Sequence, residues 1–211
     1  MSKQTIRPND FLVVIDVQND FCPGGTFAIP EADRIVPVLN QLGARFAHVV
    51  LAQDWHPENH ISFASNHPGA QPWDRVSTPY GEQFVFVDHC VQNTHGAEFH
   101  PGLQLSHAEA VIRKGFDSQL DSNSAFIGND EKTPTGLHGY LRARGCGRVF
   151  LAGLALDGCV WKSAEHAKDL GYEVFVVTDA SQAIDIEGSK CRALDSMTGK
   201  GVHLIDSDAI A

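Results

Sequence analysis

The chain has 211 residues, 43% of them hydrophobic and 20% charged, enough to bury the core of one medium-sized domain and giving no reason to invoke a second. A formal net charge of −10 argues against a nucleic acid or an anionic membrane as partner. No apolar run is long enough to cross a bilayer, and MSKQTIRPND lacks the apolar segment of a secretory signal, so a cytoplasmic protein with no membrane association is expected.

Phe11 to Ile15 is a continuous apolar run, as a strand covered on both faces requires, and Asp16 lies at its carboxyl end. Pro23-Gly24-Gly25 marks a loop. Asp33 is then positioned to cap a helix that carries Ile35, Val36, Leu39 and Leu42 on one stripe and stops near Gly43. Ala47 to Ala52 forms a second apolar strand and delivers Asp54-Trp55-His56 to its carboxyl end. From Pro57 to about Glu109 no helical period is sustained. Six aromatic residues (Phe63, Trp73, Tyr80, Phe84, Phe86, Phe99) argue against disorder there, which leaves a functional segment as the expectation.

Ala110 to Ile112 is a short third strand ending at Arg113-Lys114-Gly115, and a helix is expected from about Thr135 to Arg144 with Leu137, Tyr140 and Leu141 buried. Val149 to Leu151 is a strand that feeds, through a very short turn, a helix running from Val160 through Ala164 and Ala167 to Gly171, with Asp157 as its expected N-cap. Glu173 to Asp179 (strand), Glu187 to Met197 (helix) and Val202 to Ile205 (strand) complete the chain. Alternating helices and apolar strands predict one α/β domain over residues 1–211, a doubly wound sheet of about six parallel strands with helices on both faces.

In a parallel sheet all carboxyl ends share one edge, so Asp16, Asp54, Lys114 and Cys159, each following a different strand, are brought to one side. Cys159 in the first turn of a helix has the unpaired N–H groups and dipole that favour a thiolate. Asp16 can serve as base and acid, and Lys114 as the cation. Asp54 and His56, at i and i+2 in extended backbone, point to the same side and can share one ion. Eight of the 11 histidines fall between His48 and His107, and His89 is the best distant ligand, with His60 four residues beyond His56. The five cysteines are an odd number without paired spacing, so free thiols are expected.

DVQNDF (Asp16 to Phe21), QDWHPENHISF (Gln53 to Phe63), DHCVQNTHGAEFHP (Asp88 to Pro101), KG followed by DSNSAF (Lys114, Gly115, Asp121 to Phe126) and GLALDGCV (Gly153 to Val160) closely resemble the nicotinamidases among the isochorismatase-like cysteine hydrolases. The resemblance covers nearly the whole chain in the right order. It implies a six-stranded parallel sheet, an Asp16–Lys114–Cys159 triad, and a divalent metal, zinc first and iron or manganese next, on Asp54, His56 and His89. His60 would be a fourth ligand or a neighbour of the ligands.

The activity it implies is hydrolysis of nicotinamide to nicotinate and ammonia through a Cys159 thioester, in NAD salvage. The backbone N–H groups of Ala155 and Cys159 would hold the oxyanion, the Leu154–Ala155 peptide would be cis, and Phe21 and Phe86 would line the substrate pocket. The partner is then a small molecule, and a homo-oligomer is compatible with the sequence. Phe86-Val87 stands where relatives usually have Trp-Pro, Leu156-Asp157-Gly158 where they often have Thr-Asp-aromatic, and Asn123 where Tyr is frequent. These departures fall on pocket walls and bear on substrate range. The alternatives are a related amidohydrolase acting on a carbamoyl, ureido or other carboxamide substrate, a metal-dependent hydrolase with a structural Cys159, and a non-catalytic small-molecule binding protein on the same fold.

Overall fold

The computed structural model describes residues 3–211. Its main sheet has six strands, all pairs parallel: β1 (Asp10–Ile15), β2 (His48–Asp54), β5 (Ala110–Lys114), β6 (Arg148–Leu154), β7 (Glu173–Gln182) and β8 (His203–Ile205), in the order β5-β2-β1-β6-β7-β8. β1 and β6 are buried along their whole length, which is why, after the paired Asp10 and Arg148 that open them, their sequences are apolar and not alternating.

The strand period of two divides the core into two layers. Leu12, Val14, Val49, Leu51, Phe150, Ala152, Phe175 and Val177 face helix α1 (Ile35–Gly43) through Ile35, Val36, Leu39 and Leu42. The residues between them, Phe11, Val13, Ile15, Val50, Ala52, Val149, Leu151, Val174 and Val176, face α2 (Leu137–Ala143), α3 (Trp161–Asp169) and α4 (Ser189–Gly199). Helices therefore cover both faces of one domain. The chain leaves β1 toward β2 on one side and reaches β6 on the other, so the strand order reverses beside β1, where such sheets form their crevice. Among the described residues no helix is long and apolar enough to cross a membrane.

The structure departs from the sequence reading in local detail. Asp33 makes no capping bond: it lies in a 3-10 turn, Ala32–Arg34, and α1 begins at Ile35. Asp157 likewise caps nothing, because its carboxylate turns toward another loop. The irregular segment contains a hairpin, β3 (Arg75–Thr78) with β4 (Gly81–Phe84), whose four-residue strands are mostly exposed and carry no apolar period to read. Glu187 has φ +50, so α4 starts two residues later than its apolar pattern suggests. The strand ending at Asp179 by pattern continues to Gln182 beyond a register shift against β6. All five cysteines are free.

Candidate active site

Adjacent strands present Lys114 (β5), Asp54 (β2), Asp16 (after β1) and the turn after β6 side by side at one sheet edge, with Asp54 and Lys114 in direct register. Lys114 is 1% and Asp16 0% exposed, so neither charge is solvated and each needs a partner. Lys114 Nζ lies 2.8 Å from Asp16 Oδ2 and 2.5 Å from Asp54 Oδ1, donates to the Ser122 carbonyl at 3.1 Å and reaches Cys159 Sγ at 3.5 Å. Burial works against the ammonium, but Asp16 and Asp54 outweigh it and hold Lys114 well above the ordinary lysine range.

Burial also pushes the Asp16 carboxyl up to about 7, against the pull of Lys114, which suits a group that must take and return a proton near neutrality. For Cys159 burial comes first and Asp16 and Asp54 add to it, so its pKa rises well above that of a free thiol despite Lys114. This opposes the bias toward thiolate expected of a helix end. Asp16 is an adjacent carboxylate, with a side-chain oxygen within 4.8 Å of the sulfur.

Cys159 sits in an irregular turn, Leu156–Val160, where Asp157 and Gly158 leave helical geometry before α3 begins. The Leu154–Ala155 peptide is cis, as the resemblance implies. Ala155 is the hub of the turn: its carbonyl accepts from Gly158 N at 3.0 Å and Val160 N at 3.1 Å.

Beside the triad, ligand atoms of Asp54, His56 and His89 lie within 4.8 Å of one another, and so do those of His56, His60 and Asp121. His89 Nδ1 faces the Val87 carbonyl at 2.7 Å and His56 Nδ1 the His89 carbonyl at 3.2 Å, so donation through Nδ1 leaves Nε2 of each ring as the ligand atom. His56 Nε2 is buried without a hydrogen-bond partner, 3.8 Å from Asp54 Oδ1 and 3.5 Å from Asp121 Oδ1, and His60 Nε2 is orphaned too. Burial lowers both His60 and His89 to about 4, so both are neutral, as metal ligands are. Buried lone pairs converging with carboxylates fit a divalent cation of nitrogen and oxygen preference.

Several residues that the sequence reading did not assign hold this arrangement. Gln18 donates to the Asp54 and Ala97 carbonyls at 2.8 and 2.9 Å and accepts from Asp54 N at 2.8 Å, clamping the end of β2. Asp20 accepts from Cys90 N at 2.7 Å and so fixes the segment bearing His89. Their signal is the DVQNDF stretch itself, in which Asp16, Gln18 and Asp20 are polar yet buried. Asp121 joins His56 and His60 from the DSNSAF stretch.

Phe21 lies 5.4 Å from His89 between ring centroids. Phe86 packs against Phe27 and, with Trp73, extends an aromatic wall to His89. Phe27 and Trp73 carried no motif. A cavity of about 260 Å³ opens beside Phe86, Asp121 and Asn123, and its far side is formed by Lys162 and His166 of α3.

The isochorismatase domain matches the chain over residues 10–209. The chain is 50% identical to the nicotinamidase of Acinetobacter baylyi, covering 94% of this chain and 93% of that protein. A solved nicotinamidase/pyrazinamidase of Acinetobacter baumannii superposes with TM-score 0.94 at 48% identity, covering 96% of this chain and 98% of that one. A protein of L. infantum solved in complex with nicotinate gives TM-score 0.88 at 33% identity over 100% and 99% of the two chains. The pyrazinamidase of Pyrococcus horikoshii, solved in complex with zinc, gives 0.79 at 35% identity over 94% and 99%.

Proposed function

The chain belongs to the isochorismatase family, and from that premise we propose that it is a nicotinamidase, a cysteine amidohydrolase converting nicotinamide to nicotinate and ammonia in cytoplasmic NAD salvage. The observation that carries this reading is the convergence of Cys159, Lys114 and Asp16 within contact of a histidine-rich cation site.

As the Cys159 sulfur attacks the carboxamide carbon, its proton passes to Asp16, and Lys114 offsets the negative charge shared by sulfur and carboxylates. The Ala155 and Cys159 N–H groups receive the oxyanion, a contribution worth roughly 3 kcal/mol per donor in comparable sites. When the tetrahedral adduct collapses the C–N bond breaks, and Asp16 gives its proton to the nitrogen, which leaves as ammonia. Water then attacks the thioester, losing a proton to Asp16. The C–S bond breaks, nicotinic acid departs and ionises to nicotinate, and the proton held by Asp16 returns to Cys159. Asp54, His56 and His89 would hold the divalent metal, with His60 and Asp121 beside them. Zinc is the first choice, as in the zinc complex of the Pyrococcus relative, with iron or manganese next. When bound, the ion supplies a Lewis acid for the pyridine nitrogen. Phe21 and Phe86 line the ring's place.

The deciding assay is ammonia release from nicotinamide, measured beside N-carbamoyl and ureido compounds on protein of known metal content. Preference for nicotinamide is expected. Equal or greater turnover of a carbamoyl compound would move the protein to a sister activity.

A further inference from the structure

Asp157, two residues before the nucleophile, has no role in the steps above and does not cap α3. Its carboxylate instead accepts three hydrogen bonds from the segment after β7: Ile184 N at 2.9 Å, Asp185 N at 2.8 Å and Ser189 Oγ at 2.5 Å. That segment is unusual. Asp185, Glu187 and Gly188 all have positive φ (57°, 50° and 78°), a conformation that side-chain-bearing residues hold only when their surroundings impose it. The turn on the other side is equally irregular, with Gly158 at φ −133 and ψ −107, so no regular helical ladder fixes Cys159. The Ala155 carbonyl and the Trp161 N–H hold the turn from within, Ser163 Oγ of α3 donates to the Cys159 carbonyl at 2.6 Å, and the Asp157 carboxylate is its tie to the neighbouring loop.

We propose that Asp157 is a positioning residue: by clamping the nucleophile turn to residues 184–189, it sets Cys159 Sγ and the Ala155 and Cys159 N–H groups at the spacing that a tetrahedral adduct needs. The proposal rests on the reading of Cys159 as nucleophile. Displacement of such a group by about 1 Å can cost on the order of 100-fold in rate while ground-state binding is untouched. The effect should therefore fall on kcat and on ligands that form an adduct with the sulfur, and not on KM. Nicotinaldehyde, whose carbonyl can add the thiol, probes the adduct geometry, and nicotinate, which cannot, probes the pocket alone.

The test compares wild type, Asp157→Asn and Ser189→Ala, the last removing one bond at the far end of the clamp. Asp157→Asn should lower kcat and nicotinaldehyde affinity at least tenfold with nicotinate affinity and KM within about twofold, and Ser189→Ala should shift the same quantities in the same direction by about threefold. Amide exchange of residues 183–189 and 155–160 should quicken together in both variants. Faster exchange at 183–189 with kcat and aldehyde affinity within twofold of wild type would overturn the proposal. If Asp157→Asn does not fold, Ser189→Ala decides alone. If wild type binds neither ligand, the nicotinamidase reading has failed independently. The clamp is then judged by exchange: quickening at 155–160 in Ser189→Ala supports it, and no change there refutes it.

Discussion

Asp54 Oδ1 accepts a hydrogen bond from Lys114 Nζ at 2.5 Å, and the same carboxylate is grouped with His56 and His89 as a ligand set. One side chain thus joins the candidate cation site to the proposed triad, since Lys114 also pairs with Asp16 at 2.8 Å. The register of β2 against β5, which sets Asp54 opposite Lys114, is the reason both halves of the site sit at one place.

Removing the shared cation should be felt twice. Lys114→Met leaves Asp16 and Asp54 buried at 0% and 3% exposure without their counter-charge, and loss of one partner from a buried pair costs about 3–5 kcal/mol. Urea denaturation should show a loss of that size, and turnover should fall about 100-fold or more. Unchanged stability would mean that the carboxylates are protonated without it.

The pH profile should follow Asp16. Its carboxyl is pushed up to about 7, and only the ionised form can take the Cys159 proton, so kcat/KM should rise with pH through an acid limb centred near 7 and fall about tenfold per unit below it. A limb near 4 would show that the proton goes elsewhere.

Gly115 has φ +64, and a Cβ there would lie 2.5 Å from His56 Nε2, the orphaned ligand atom. Gly115→Ala should displace the imidazole and weaken zinc affinity about 10- to 100-fold, read by chelator competition. Wild-type affinity in this variant would remove His56 from the ligand set.

The sheet and the convergence of the triad were legible because strands buried on both faces read as plain apolar runs, and because a parallel sheet puts Asp16, Asp54, Lys114 and Cys159 at one edge whatever the loops do. The hairpin of β3 and β4 was not legible: its residues are mostly solvent-facing and impose no period. Asp157 reads as a helix cap by position, and only its tertiary partners Ile184, Asp185 and Ser189 reveal otherwise. A second influence on Cys159 is likewise absent from the sequence. A helix end favours thiolate, but burial beside Asp16 and Asp54 is a property of the assembled core.

The central claim is that sulfur, and not metal-activated water, attacks the amide. Ammonia release from nicotinamide by Cys159→Ala, with metal content equal to wild type, tests it most directly. A loss of at least about 10³-fold is expected, because the nucleophile itself is gone. Retention of a tenth or more of wild-type turnover by the metal-loaded variant would contradict the account and return the chemistry to the Asp54–His56–His89 site.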